Sequence, residues 1–137
     1  MRFLLDNNIP PPIARALNEM GKLSKYPFSA MPLRDKFPQN ISDPDLIAAL
    51  ETEGDWALIT GDLSKKSPHM KEAWLRGKVT VFFLAKGWIN HGPWEQAWWL
   101  VRWWEQILNA AQSFEAGTGF EIPANSHGKL RAIPKRS

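Results

Sequence analysis

Four aspartates stand at positions in this sequence where a carboxylate could do chemistry. Asp6 directly follows the apolar run RFLL, and Asp62 follows the apolar run WALIT after one glycine. Asp43 and Asp45 open the segment SDPDLIAALETEG, which leads into the second run. A charged residue that closes an apolar strand makes a poor core residue, because burying an unpaired charge is costly. The four acids are therefore candidate metal ligands or catalytic groups.

The elements that must position these acids are predicted to alternate between strands and helices. Apolar and β-branched runs predict strands at residues 2–5, 56–60 and within 78–87, with weaker candidates at 28–33 and 119–123. Helical spacing, with prolines in the first turn and glycines at the ends, predicts helices within 9–21, 42–54, 67–77 and 92–117. This alternation indicates an α/β fold, a three-layer α/β/α sandwich with a largely parallel central sheet.

Such a sheet would bring the four acids to one edge. Sites in open parallel sheets form at the carboxyl ends of the strands, where Asp6 and Asp62 are expected. A helix runs antiparallel to the strand that follows it, so Asp43 and Asp45 are expected at the same edge. Carboxylates held close together repel unless a cation joins them, and Mg²⁺ or Mn²⁺ suits such oxygen ligands. A site of this kind can activate water against a phosphodiester.

Three of the four acids also have an ordinary structural explanation, and Asp6 is less easily explained in this way. Asp43 suits a helix N-cap, and Asp45 in a first helical turn is favoured by the helix dipole. Asp62 in the sequence TGD could be a turn aspartate. Asn8 could cap the helix that starts at Pro10, or it could support the acids.

The segments LLDNNIPPPIARAL and SDPDLIAALETEGDWALITGD together resemble the PIN-like domain superfamily, in particular its branch of VapC-like toxins. The resemblance covers roughly residues 2–110. It implies a metal-dependent ribonuclease that holds one or two Mg²⁺ or Mn²⁺ ions and often acts as the toxin of a toxin–antitoxin pair. On this resemblance Asp6, Asp43 and Asp62 are metal ligands, and Asp45 is a ligand or base.

The sequence departs from this family at two places. A further acid is usual between the two motifs, and here that stretch offers Asp35, in a proline-rich loop, as the candidate fourth acid. The aromatic residue that tends to follow the last family aspartate is absent from DLSKKSPH. Asn8 and Thr60 are predicted to support the acids. Lys65 and Lys66 could contact phosphate, although two such lysines are more often part of a solvated loop.

Tryptophan is concentrated in the last predicted helix, which contains Trp94, Trp98, Trp99, Trp103 and Trp104. At about 100° per residue, Trp98 stays near Trp94, whereas Trp99 and Trp103 fall nearly opposite. One face cannot bury all five, so either the C-terminal segment covers this helix or one side meets a partner. The second alternative predicts an interface with an antitoxin or a second copy of the chain, formed by Trp94, Trp98, Trp99, Arg102 and Trp103.

Composition bounds the remaining possibilities. The 137 residues suit a single domain, predicted at residues 1–123 and followed by a basic tail at 124–137 that is either disordered or in contact with a polyanion. The absence of cysteine excludes disulfides and thiol catalysis. No apolar run reaches the ~20 residues of a membrane span, and the N-terminal run is too short for a signal peptide. We therefore expect a cytoplasmic protein without a membrane partner.

Together, these features predict a metal-dependent endoribonuclease that hydrolyses RNA with metal-activated water. Two alternatives stay open. In the first, Asp6 is the nucleophile of a phosphotransfer enzyme, a chemistry that wants a second acid two residues later, where Asn8 stands. In the second, the acids cap helices and the Trp-rich helix docks a protein partner without catalysis.

Overall fold

The computed structural model describes residues 1–134. Its strands are β1 (Arg2–Leu5), β2 (Ser29–Pro32), β3 (Trp56–Thr60), β4 (Thr80–Leu84), β5 (Gly119–Ile122) and β6 (Arg131–Ile133). Its helices are α1 (Pro11–Met20), α2 (Asp43–Glu53), α3 (Pro68–Arg76) and α4 (Pro93–Ser113). Short 3₁₀ turns lie in the connections at Gly21–Leu23, Leu33–Asp35, Leu63–Lys65 and Trp88–Asn90. Every predicted strand and helix is present, whereas β6 was not predicted.

The six strands form one sheet in the order β2-β1-β3-β4-β5-β6. Neighbours are parallel from β2 through β5, and β6 pairs antiparallel with β5. The strand order reverses at β1, which lies between β2 and β3. In an open α/β sheet this reversal leaves a crevice beyond the carboxyl ends of the strands, between β1 and β3. Asp6 and Asp62 follow those two ends.

Helices cover both faces of the sheet. Along β1, Phe3 and Leu5 face a core built with α1 and α4, while Leu4 faces a second core built with α2 and α3. Every residue of β3 and β4 is buried, as expected for parallel strands with helices on both sides. The fold is therefore the predicted three-layer α/β/α sandwich with a largely parallel sheet.

The start of α2 is set by Ser42. Its hydroxyl accepts a 3.2 Å hydrogen bond from the backbone N–H of Asp45, so Ser42 rather than Asp43 is the N-cap. Asp43 and Asp45 occupy the first turn, where the helix dipole favours acidic side chains. Gly54 ends the helix at a φ of 75°, a left-handed value that glycine adopts at little cost.

The Trp-rich helix α4 divides its side chains as the helical spacing predicts. Trp99, Trp103 and Trp104 are buried, whereas Trp94 and Trp98 are exposed. The predicted interface is therefore wrong for Trp99 and Trp103, whose rings pack in the core of this chain. Only the outward side of the helix is available to a partner.

The segment after β5 covers α4. The indole N–H of Trp103 donates to the carbonyl of Asn125 at 2.7 Å, and the amide of Gln106 donates to the carbonyl of Gly128. β6 then returns to the sheet, where Ala132 is paired with Phe120. Part of the predicted basic tail is thus a strand that extends the sheet past residue 123.

Two basic residues of that tail, Lys135 and Arg136, lie outside the described residues, and contact with a polyanion stays a prediction. Among residues 1–134, none of the helices combines the length and the apolar character that a membrane span needs.

Candidate functional site

A pocket of about 340 Å³ opens where β1, β3 and β4 end. It is lined by Asp6, Asn8, Gly61, Asp62, Lys65, Lys66, Leu84, Ala85, Gly87, Trp88 and Ile89. Two carboxylates, one amide and two ammonium groups therefore share a pocket with an apolar wall. The pocket lies beyond the carboxyl ends of the strands, where the strand order reverses, and ligands bind at this position in open α/β sheets.

Asp6 is held rigidly at the end of β1. Its backbone N–H donates to the carbonyl of Ile59 at 2.9 Å, which extends the pairing with β3 by one residue. Its Oδ2 accepts from the buried hydroxyl of Thr60 at 2.6 Å, and its Oδ1 accepts from the backbone N–H of Asn7 at 2.7 Å. The ammonium of Lys66 lies 3.6 Å from Oδ2. The carboxylate thus has a fixed orientation and a positive neighbour.

Asp62 uses only one of its two oxygens within the protein. Oδ1 accepts hydrogen bonds from the backbone N–H and the hydroxyl of Ser64, at 2.9 and 2.8 Å. Oδ2 is buried and has no hydrogen-bond partner among residues 1–134. The predicted role of Asp62 in a turn therefore explains the contacts of Oδ1 but not the position of Oδ2. Because an unpaired buried oxygen is unfavourable, Oδ2 is available to a ligand in the pocket.

The Asn8 amide lies in the same pocket, and in the part of the chain that the structure describes both its oxygen and its nitrogen are buried without a hydrogen-bond partner. The alternative role of Asn8 as a helix cap is not seen, since α1 begins without a side-chain cap. A Cβ at position 61 would lie 2.9 Å from Asn8 Nδ2, so the close approach of this amide requires Gly61. Gly61 was not predicted to belong to the site, although a glycine at a strand end is a signal for close approach.

The two lysines of the pocket differ in environment. Lys65 is exposed, as a solvated loop would predict. The Lys66 side chain is only 17% exposed and pairs with Asp6, so the solvated-loop interpretation is wrong for this residue. Lys65 is the last residue of the 3₁₀ turn that Asp62 caps, and Lys66 follows it as the C-cap. The two neighbouring side chains therefore lie in different environments, one in solvent and one beside Asp6.

Trp88 lines the same pocket as the acids and was not predicted to belong to the site. Its indole N–H donates to the carbonyls of Ile122 and Pro123 at 3.0 and 2.9 Å, which ties the segment after β4 to β5. Gly87, at a φ of 102°, lets the chain turn just before it. The sequence signal was the pair Gly-Trp directly after an apolar strand.

The other predicted acids lie elsewhere. Asp43 and Asp45 are in the first turn of α2 and do not line the pocket. Asp35 pairs with Arg15 of α1 at 2.8 Å. Within residues 1–134, no group of three or more Asp, Glu, His or Cys side chains is placed to hold a metal ion. The structure thus brings Asp6 and Asp62 together, and roles of Asp43 and Asp45 in metal binding or catalysis stay predictions.

The loop before α2 contacts the chain that follows β1. Asn7, next to Asp6, donates from its side chain to the carbonyl of Gln39 at 2.9 Å. This contact joins positions 32 apart in the sequence, so local patterns could not predict it.

The fold and the pocket define an α/β/α protein with a carboxylate-lined site at the carboxyl edge of its sheet. A family model described as a PIN-like domain matches residues 1–86, more than half of the chain. The chain therefore belongs to the PIN-like domain family, a nuclease-type fold. The matched segment includes Asp6, Asn8, Gly61 and Asp62, while the VapC-like toxin branch stays a prediction. No curated protein and no solved structure matches the chain.

Proposed function

We propose that this PIN-like domain is a ribonuclease that depends on a divalent metal. The observation that carries the proposal is a pair of buried oxygens without partners, Asn8 Oδ1 and Asp62 Oδ2, in the pocket that also contains the fixed carboxylate of Asp6. Mg²⁺ and Mn²⁺ prefer oxygen ligands, and Mg²⁺ is often bound by one or two carboxylates with several waters. The donor set of the pocket fits such an ion.

Asp6, Asp62 and Asn8 would hold the ion in this proposal. Bound there, a divalent ion supplies Lewis-acid stabilisation and lowers the pKa of a bound water. The chain itself contributes orientation, because Thr60 and the backbone of Asn7 fix the Asp6 carboxylate. Exposed Lys65 supplies positive charge at the pocket for a phosphate of the nucleic acid, a contact that positions substrate without reading sequence.

Asp43 and Asp45 remain in the proposal on the family resemblance alone. Asp43 is proposed as a further metal ligand, and Asp45 as a ligand or base. Their observed place in the first turn of α2 is equally explained by the helix dipole. Substitution of each by Asn separates the two roles, because a purely structural acid can be replaced with a small loss of stability and no loss of cleavage.

The test is cleavage of single-stranded RNA by the full chain with Mg²⁺, with Mn²⁺ and with EDTA. Wild type is compared with Asp6→Asn and Asp62→Asn, each of which removes a carboxylate and keeps the shape of the side chain. Asp55→Asn is the matched control, because Asp55 is exposed at the opposite edge of the sheet and has a positive φ that Asn tolerates. Mn²⁺ affinity is measured for all four chains by calorimetry.

We expect cleavage that requires the metal, a loss of about 100-fold or more in Asp6→Asn and Asp62→Asn, and wild-type behaviour in Asp55→Asn. The two site variants should also bind Mn²⁺ more weakly. The proposal fails if wild type cleaves no RNA with either ion, or if both site variants cleave as well as wild type.

The role of the protein as the toxin of a toxin–antitoxin pair is proposed on the resemblance to VapC-like toxins. If it is correct, induced expression in bacterial cells arrests growth, and the double variant Asp6→Asn/Asp62→Asn does not. Growth arrest by the inactive double variant would contradict a toxin that acts through RNA cleavage.

A second candidate function is that of a binding module that docks a protein partner, an antitoxin or a second copy, through α4. Trp94, Trp98 and Val101 lie at i, i+4 and i+7 on one side of the helix, and Trp94 is 89% exposed. Large exposed aromatic side chains mark interaction sites, and exposed Arg102 is a residue type common there. Self-association that is lost in Trp94→Ser/Trp98→Ser, in a chain that cleaves no RNA, would favour this candidate.

A further inference from the structure

Lys66 is unusual among the lysines near the pocket because its charged end lies inside it. Only 17% of its side chain is exposed, and Nζ is 3.6 Å from Oδ2 of Asp6. A Cβ at Gly61 would lie 3.9 Å from the same Nζ, an ordinary van der Waals contact, so the ammonium lies next to the residue that follows β3. A lysine that gives up most of its hydration needs a negative partner, and here that partner is Asp6.

The pairing of Lys66 with Asp6 is close enough for electrostatic attraction and too long for a hydrogen bond, which spans about 2.7–3.2 Å between nitrogen and oxygen. Asp6 Oδ2 already accepts the shorter 2.6 Å bond from Thr60. The ammonium is therefore held by charge rather than by a directional bond. Because lysine has a flexible four-carbon stem, it can leave the carboxylate without any change in the backbone.

We propose that Lys66 is the resident counter-cation of Asp6 and that a divalent ion must displace it to occupy the pocket. The inference rests on the proposed metal-dependent function and concerns its regulation. Two positive charges at one carboxylate repel each other, so the ammonium and the ion compete for Asp6. Without the ion, Lys66 offsets the charge of Asp6 and stabilises the fold. Competition with Lys66 thereby lowers the affinity of the pocket for the ion, so that the occupied fraction of the site follows the free metal concentration.

The experiment compares Mn²⁺ binding to the full-length wild type, Lys66→Gln and Lys66→Arg by calorimetry in the absence of RNA. Lys36→Gln is the matched control, because Lys36 is also partly buried and pairs with a carboxylate, Glu53, outside the pocket. Lys65→Gln removes an exposed charge from the same pocket and reports the general effect of net charge. Melting temperatures are recorded for each chain with and without Mn²⁺.

We expect Lys66→Gln to bind Mn²⁺ on the order of five-fold more tightly than wild type, the effect of removing one ion pair that is partly exposed. Lys66→Arg and Lys36→Gln should bind as wild type does, and Lys65→Gln should change affinity by less than about two-fold. Without metal, Lys66→Gln should melt below wild type, and saturating Mn²⁺ should narrow that difference.

Unchanged or weaker Mn²⁺ binding by a folded Lys66→Gln overturns the competition, while metal-dependent cleavage by wild type would leave the proposed function standing. If Lys66→Gln does not fold, Lys66→Met serves in its place, since it keeps most of the apolar stem. Failure of wild type itself to bind Mn²⁺ would overturn both proposals together, whereas Mn²⁺ binding by a wild type that cleaves no RNA would overturn the proposed function alone.

Discussion

The hydroxyl of Thr60 donates a 2.6 Å hydrogen bond to Oδ2 of Asp6 and joins the last residue of β3 to the first residue after β1. Thr60 is fully buried, so no water competes for this bond. The backbone bond from Asp6 to Ile59 runs across the same junction. The acid is thus oriented by contacts with the neighbouring central strand before any ligand arrives.

Thr60→Val tests this support, since valine has nearly the same shape and no hydroxyl. We expect the free energy of unfolding to fall by about 1–3 kcal/mol, because a buried hydrogen bond to a charged acceptor is lost. Mn²⁺ affinity should fall about 10-fold, as is typical when the partner of a ligand is removed. Urea unfolding and calorimetry measure the two effects. Thr60→Ser should restore both, and a stable Thr60→Val with wild-type Mn²⁺ affinity would show that the bond has no supporting role.

Gly61→Ala should affect the site more than the fold. The added methyl would lie 2.9 Å from Asn8 Nδ2, and this atom is the far end of a side chain that can move away. We therefore expect the free energy of unfolding to change by less than about 1 kcal/mol, while Mn²⁺ affinity falls as the Asn8 oxygen is displaced. In an Asn8→Ala background the same substitution should have no further effect on Mn²⁺ binding. Additive losses in the double variant would contradict this coupling.

Trp103 and Trp94 offer the same substitution in two environments of one helix. Trp103 is 1% exposed and donates its indole N–H to Asn125, so Trp103→Ala should lower the free energy of unfolding by about 3–5 kcal/mol. Trp94 is 89% exposed, and Trp94→Ala should change the free energy of unfolding by no more than about 0.5 kcal/mol. Urea unfolding measures both free energies, at a protein concentration where the chain is monomeric. A large loss in Trp94→Ala would show that its ring is buried in solution.

Glu53 gives a pH-dependent prediction far from the pocket. The hydrogen bond from Lys36, and then that from the Trp56 indole, hold the pKa of Glu53 below its ordinary value of 4.5. Since the pKa is lower in the folded chain, the stability that these contacts contribute is present above the unfolded pKa. It is lost as pH falls through the folded value. The contribution is modest because the side chain is exposed to solvent.

Lys36→Met should raise the pKa of Glu53 toward its ordinary value and flatten the dependence of stability on pH in the acidic range. NMR titration of the Glu53 carboxyl measures the first effect, and urea unfolding at several acidic pH values measures the second. Lys25→Met, at an exposed position, is the control and should leave both unchanged. An unchanged Glu53 titration in Lys36→Met would show that another group sets this pKa.

Much of the fold was readable from local patterns in the sequence. The short apolar runs became β1 and β3, because a parallel strand with helices on both faces buries every side chain. Ser42 and Pro44 marked the start of α2. Serine is a strong N-cap, and a proline in the first turn loses no hydrogen bond. The places of Asp6 and Asp62 at strand ends followed from the same patterns.

The tertiary structure alone decided the contacts between residues that are distant in the sequence. The pairing of Lys66 with Asp6 and the fit of Asn8 against Gly61 join segments more than fifty positions apart, and nothing in the spacing of either segment encodes them. The partners in β5 and β6 are closer in the sequence, but their pairing depends on the intervening segment, which packs on α4 through Trp103 and Gln106. The sequence by itself determined the helices, the strands β1 to β5 and the edge of the sheet where Asp6 and Asp62 lie, because those depend on local periodicity and on strand direction. Packing determined which of the acids share a pocket and which cation accompanies them.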